Sequence, residues 1–225
     1  GGGINAITRS GTNSFHGSAF FYYRNQDLVG NGPDDTQYGQ FNEKQMGFRL
    51  GGPIVQDKLF FFANAEFTRR SAPVDYVIDD SGNANDFGGP NVSVADAQRF
   101  TQLCEGYGFD PGTYGQASID RNSNKAFGRI DYNINTANRL TVRFNFVDAQ
   151  QGYLSRSAFS FSYGNNNYEF KSKTYSTVGQ LDSLFGESAR NELRVNYTAI
   201  REERAVPLEA PQVRVNISGG YSFYA

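Results

Sequence analysis

Much that marks an enzyme or a metal protein is scarce in this sequence. Its 225 residues include one cysteine, one histidine, one methionine and no tryptophan. The single Cys104 excludes an internal disulfide framework. The single His16 excludes any catalytic or metal site needing two histidines from this chain. There is no G-x-S-x-G elbow and no G-x-x-x-x-G-K-S/T phosphate loop. Carboxylate pairs are too common in the sequence to be diagnostic. No enzyme and no cofactor is therefore expected. Charge of one sign is also lacking: 21 Lys and Arg against 23 Asp and Glu leave a net charge of -2. Without a basic surplus to neutralise phosphates, nucleic acid is not an expected partner. No window approaches eighteen consecutive apolar residues, which excludes a transmembrane helix. No initiating Met or basic-then-apolar leader precedes Gly1, so no targeting peptide can be read, and the chain reads as a section of something longer.

What is present points to β structure. Twenty Phe, 14 Tyr and 25 Gly favour strands and tight turns, and so many aromatics argue against disorder. Period-two alternation dominates. Leu59, Phe61, Ala63, Ala65 and Phe67 share one face; Phe60, Phe62, Asn64, Glu66 and Thr68 share the other. Leu140, Val142, Phe144 and Phe146 alternate with Thr141, Arg143 and Asn145. Ile130, Tyr132 and Ile134 alternate with Arg129, Asp131 and Asn133, and Leu193, Val195 and Tyr197 with Glu192, Arg194 and Asn196. Weaker alternation covers residues 15–23, 45–54 and 173–185. This gives about seven strands, or eight if residues 212–224 form another.

The connections alternate in length. Residues 55–58, 135–139 and 186–190 are short hairpin turns. Residues 24–44, 70–124 and 148–172 are long and rich in Gly, Asn, Asp and Ser. An antiparallel meander then has all its short turns at one end and all its long loops at the other. A compact soluble domain rarely carries several long unstructured loops; a transmembrane β-barrel has this asymmetry by rule. The expected fold is all-β, a partial transmembrane barrel of about 7–8 strands belonging to a larger barrel. Lipid would take the apolar face and a wet lumen the polar one.

The longest loop contains one expected helix, Ser93 to Tyr107. Val94, Ala97, Phe100, Leu103 and Cys104 fall on one stripe, and Ser93 with Asp96 reads as a capping pair. Cys104 is then either a small buried residue or half of a disulfide whose partner lies elsewhere. Asp79, Asp80, Asn83, Asn85 and Asp86 offer oxygens of the kind calcium takes, although their spacing misses the EF-hand and a solvated loop is the plainer reading. Phe20, Tyr22, Tyr23, Phe60 and Phe62 read as membrane-interface anchors. His16, alone at a strand start, reads as a rim residue. Asn91, Asn196 and Asn216 begin N-x-S/T glycosylation patterns.

Two runs carry a resemblance. Gly1-Gly2-Gly3-Ile4-Asn5-Ala6-Ile7-Thr8-Arg9-Ser10-Gly11-Thr12-Asn13 resembles the end of the plug domain in TonB-dependent outer-membrane receptors, where such a run leads into the first barrel strand. Leu50-Gly51-Gly52-Pro53-Ile54-Val55-Gln56-Asp57-Lys58-Leu59-Phe60-Phe61-Phe62 is similar to a run in Oar-like members, which carry a carboxypeptidase-regulatory-like domain ahead of the plug. Together the runs cover about the first 70 residues, and the later strands agree in pattern alone.

The resemblance implies a segment of a transporter in the Gram-negative outer membrane. Residues 1–14 would be the end of the plug and its hinge, with Gly11, Thr12, Asn13 and Ser14 as hinge positions. Residues 15–225 would be the N-terminal part of a barrel of about 22 strands. Asn64, Glu66, Arg129, Asp131, Arg143, Asn145, Glu192 and Arg194 are the lumen-facing candidates. Their charges would line a substrate path, bond the plug, or form a ladder with opposite charges on neighbouring strands. The implied partners are outer-membrane lipids, TonB (through a TonB box outside this chain) and an extracellular substrate, with an oligosaccharide or a peptide suiting the loop composition. The alternative is a non-transporting structural or adhesive β-domain, either a soluble sandwich or a TonB-independent barrel. Facing separates them: a sandwich buries its apolar rows inside, and a barrel turns them out.

Overall fold

The computed structural model describes residues 8–32, 35, 38–207, 209, 212–217 and 219–225. The first seven residues of the plug-like run, and Ser218 of one glycosylation pattern, lie outside the described residues.

Seven long antiparallel strands form one meander: β1 (His16–Asn25), β2 (Asn42–Val55), β3 (Leu59–Pro73), β4 (Ser118–Asn133), β5 (Asn138–Leu154), β7 (Asn167–Phe185) and β8 (Ala189–Ala205). Each pairs only with its neighbours in sequence, apart from the short β6 (Ser160–Ser162) in the loop between β5 and β7. Short turns join β2 to β3, β4 to β5 and β7 to β8. The strands from β2 to β8 in this sheet run 14–19 residues. A tilted strand crosses a bilayer in about 9–11 residues, so these extend well past the hydrocarbon on the loop side. The loop expectations at 24–44, 70–124 and 148–172 were correspondingly too long, because the polar flanks of each loop continue the ladder.

The register fixes the two faces. Leu59 pairs with Tyr132, Tyr132 with Leu140, Leu140 with Leu181, and Leu181 with Leu193, which makes one apolar row across five strands. Parallel rows hold Phe61, Ile130, Val142 and Val195, then Leu50, Ala63, Phe144 and Tyr197. These rows have no partner layer: Ile130, Val142, Phe144, Leu193, Val195 and Tyr197 are all exposed. None of the sheet's residues belongs to the one buried apolar cluster of the described residues. A soluble sandwich would have hidden these rows, so that reading is lost.

The apolar cluster lies instead among the loops. The expected helix is present as α1 (Val94–Gly106), with Ser93 as N-cap and a reciprocal bond between Ser93 and Asp96. Ala97, Phe100 and Cys104 are buried as the stripe requires, but Leu103 is 46% exposed. Residues 212–224 do not form an eighth barrel strand. They fold into β9 (Arg214–Ile217) and β10 (Tyr221–Tyr224), and β10 pairs in parallel with β6. Phe223 buries itself between Phe100 and Phe161. Burying that aromatic ring in the loop lobe decides its placement against another turn of the sheet.

Candidate functional site

The polar face of the sheet meets the chain's own N-terminal segment at one cluster. Asp131 on β4 is almost fully buried and accepts from three partners. Arg129, two residues away on the same strand and face, donates from Nε and Nη2 at 2.7 and 2.8 Å. Arg139 donates at 2.8 Å and the Thr141 hydroxyl at 2.9 Å, both from β5. The remaining nitrogen of Arg129 donates to the carbonyl oxygen of Thr8 at 2.8 Å and to its Oγ1 at 2.7 Å. A guanidinium carries five donors in a fixed fork, enough to hold a carboxylate at two points and a backbone segment at a third. The carboxylate fixes Arg129, and Arg129 fixes the incoming chain.

From Thr8 the chain runs over the polar face to β1. A Cβ on Gly11 would collide with the carbonyl oxygens of Gly52 and Phe61, so only glycine permits that approach. Thr12 donates to the Ser14 carbonyl at 3.0 Å. The Asn13 amide bonds Asp57 twice, accepting from its backbone N–H at 2.8 Å and donating to its carboxylate. Asp57 lies in the β2–β3 turn, so the segment is tied to the short-turn end. His16 begins β1 opposite Gly51 and lines a cavity of about 530 Å³ with Thr8, Gly11 and Arg49.

The other singled-out residues share this face without joining the cluster. Glu66 bonds Lys125 at 2.8 Å and Arg194 bonds Glu192 at 2.6 Å. Asn64 and Asn145 both stand opposite Phe127. Arg143 stands opposite Arg129, and its Nε is buried without a hydrogen-bond partner. Opposite charges stand directly across strands at Glu66–Lys125 and Arg24–Glu43, but the ladder does not continue through the other charged residues. Arg129 faces Arg143, and Asp182 faces Glu192. The pairs Arg129–Asp131 and Arg194–Glu192 run along single strands instead. A long arginine leaning along its strand reaches the next residue on the same face, so the sign of the residue opposite matters less.

The anchor assignment also needs correction. Phe60 and Phe62 lie in register with Asp131 and Arg129, and Phe20 and Tyr22 lie between Ser18 and Arg24 on the polar side. Ser18 bonds Arg49 and Arg24 bonds Glu43, which fixes that side. Of the five aromatics, Tyr23 alone is on the apolar face. For Phe60 and Phe62 the alternation along β3 already implied the face shared with Glu66, which an assignment from aromatic richness passed over.

The loop lobe was legible only as its helix. Its core packs Phe87, Phe100, Phe161, Tyr163 and Phe223 with Ile78, Val92, Ala97 and Cys104. Arg156 is buried in it and spends its donors on four carbonyls: Tyr76 at 3.0 Å, Thr113 at 3.0 Å, Gly115 at 2.7 Å and Ser162 at 3.1 Å. Its guanidinium lies 4.2 Å from the centre of the Phe161 ring. Burial pulls the Arg156 pKa down to about 10 and pushes those of Tyr163 and Cys104 up. Cys104 is a free, buried thiol. The acidic cluster is occupied by its own backbone: Asp86 accepts from the N–H groups of Asp79 and Gly82, and Asp80 from that of Val94.

Comparison with known proteins agrees with this geometry. A family model described as an outer membrane beta barrel domain matches residues 7–102. The TonB-dependent transporter Oar of Myxococcus xanthus is 31% identical over 238 aligned positions, covering 98% of this chain. The chain spans 20% of that relative's length. No solved structure gives a significant match. With an apolar face left open along seven strands, a polar face opposite it and this relative, the chain is an outer-membrane β-barrel segment of the TonB-dependent transporter family.

Proposed function

We propose that the chain serves as part of the wall and plug junction of a TonB-dependent transporter, one that captures an extracellular substrate at its loops and imports it through a plugged barrel. The observation that carries this reading is the bonding of Thr8 to Arg129, on the polar face and far from the apolar one. A domain preceding residue 8 enters, in this reading, from the lumen side. In this reading residues 1–14 end the plug, and Gly11 to Ser14 form its hinge. Asn64, Glu66, Arg129, Asp131, Arg143, Asn145, Glu192 and Arg194 face the lumen. Strands outside this chain close the barrel, since β1 and β8 are edges among the described residues and an open edge in hydrocarbon leaves amides unpaired.

The resemblance to Oar-like members supports a regulatory-like domain ahead of the plug and a TonB box upstream. Loop tyrosines and asparagines suit stacking and polar contacts with an oligosaccharide or a peptide. The test compares nutrient depletion from the medium by cells lacking the full-length receptor, cells complemented with it, and cells complemented with a version missing its TonB box. A component taken up only with receptor and TonB box together supports transport. Equal uptake without the TonB box, or no receptor-dependent component at all, rejects it in favour of a non-transporting barrel.

A further inference from the structure

On the polar face, one cross-strand row at the loop end reads Arg24, Glu43, Arg70, Arg121, Gln151, Phe170, Arg204. It holds four arginines against one acid, in a chain whose net charge is -2. Arg70 and Arg121 stand directly opposite each other, an arrangement that destabilises a sheet unless something neutralises it. Glu43 does not suffice. It is held by Arg24 at 2.7 Å and reaches Arg70 only at 3.9 Å. The Arg70 Nε is buried with no hydrogen-bond partner, and Arg121 has no carboxylate within ion-pair distance among the described residues. The like-charged pair Arg129 and Arg143 shows the contrast, because Asp131 and Thr8 engage Arg129 there.

The surroundings are those of a binding strip. The row next inward is neutral except for Glu202 at its end. Just outward, Tyr153 and Tyr168 stack with ring centres 4.8 Å apart, and the Arg204 guanidinium sits 5.1 Å over the Tyr168 ring. Arg24 and Arg70 also help to wall a cavity of about 660 Å³, shared with Asn31, Tyr38 and, as its one acid among the described residues, Asp75. That volume falls in the range of ligand sites. The plug-side segment is not the occupant the geometry favours. It is bonded at Arg129, eight residues from Arg121 along β4, or about 27 Å at strand rise.

We propose that this row is an anion-binding strip at the mouth of the barrel, that Arg70 and Arg121 are its anchors, and that the cargo it admits carries clustered carboxylate or phosphate groups. The proposal builds on the transporter reading and names the chemistry of what enters. A cleft lined by one sign of charge raises the local concentration of the opposite sign.

The test uses the purified full-length receptor in detergent and measures binding of fluorescein-labelled oligoglutamate, with tripolyphosphate and oligolysine as competitors. Expected is salt-sensitive binding that oligolysine leaves untouched and that weakens about tenfold for each arginine removed in R70Q and R121Q. Competition by tripolyphosphate identifies phosphate as an accepted anion; its failure assigns the strip to carboxylates. R70K/R121K should retain part of the binding, and K44Q/R69Q, on the opposite face, should retain all of it. If R70Q/R121Q does not fold, judged by heat-modifiable mobility in SDS gels, R204Q carries the same test from the end of the row. Absence of oligoglutamate and tripolyphosphate binding, or binding indifferent to R70Q, R121Q and R204Q, overturns the proposal, the first outcome meaning that the plug itself fills the strip. Anion binding without TonB-dependent uptake would sink the transport reading and leave the strip standing; uptake without anion binding would do the reverse.

Discussion

Arg129 on β4 donates from a single guanidinium nitrogen to both oxygens of Thr8, 121 residues earlier, while its other nitrogens grip Asp131. The buried carboxylate constrains this contact, since one guanidinium has to satisfy both partners at once. R129A should release the N-terminal segment while Asp131 keeps Arg139 and Thr141. Its cost is about 2 kcal/mol in the thermal unfolding of the full-length receptor. Thiol labelling of a T8C reporter should be several-fold faster in the R129A background. D131A strands two arginines and should cost more than R129A; an equal or smaller cost would show that the cluster does not centre on the carboxylate.

Neighbouring residues on β5 should respond oppositely to the same substitution. F144R places a charge on the apolar face and should cost about 2–4 kcal/mol of barrel stability at mid-membrane depth. N145R places it on the polar face beside Ser176 and should be tolerated to within about 1 kcal/mol. Folding titrations into lipid vesicles check this, and equal costs at the two positions would contradict the assignment of faces.

Arg156 holds residues 74–117 to residues 155–166 through four carbonyls and one aromatic face. R156M leaves those acceptors without a donor and should cost at least about 3 kcal/mol within the lobe. R156K has neither the planar fork nor the stacking surface and should recover little. Alkylation of Cys104 reads the effect: slow in the wild type, where the thiol is buried, and fast once the lobe opens. An L103C reporter in a cysteine-free background, at the exposed neighbouring position, sets the fast limit.

The cap of α1 gives a pH dependence with a definite sign. Hydrogen bonds from the Ser93 side chain and then its backbone N–H lower the Asp96 pKa below 3.8. A carboxylate with a lowered folded pKa contributes stability that is present above 3.8 and lost as pH falls through the folded value. Local stability around α1, followed by hydrogen exchange, should therefore be flat from pH 7 to about 5 and fall below 3.8. S93A should cost about 1 kcal/mol and flatten the acid limb.

The sequence alone determined the seven long strands, the alternation of short turns with long loops, the helix from Val94 and its Ser93 cap. Each depends on neighbours within a few residues: period two along a strand, period 3.6 along a helix, and turn formers between them. The polar rows at Arg129, Arg143 and Arg194 were equally legible, because a strand's alternation is intrinsic to its pleat. Which partners those residues take was decided by register. The sequence does not state that Arg129 stands opposite Arg143 or that Arg70 stands opposite Arg121. The placement of residues 212–224 likewise depended on the aromatic core formed by α1, β6 and β10, whose Phe100, Phe161 and Phe223 lie 61 and 62 residues apart along the chain. Contacts at that separation are set by what buries Phe223 and satisfies Arg156 in three dimensions, and no local period encodes them.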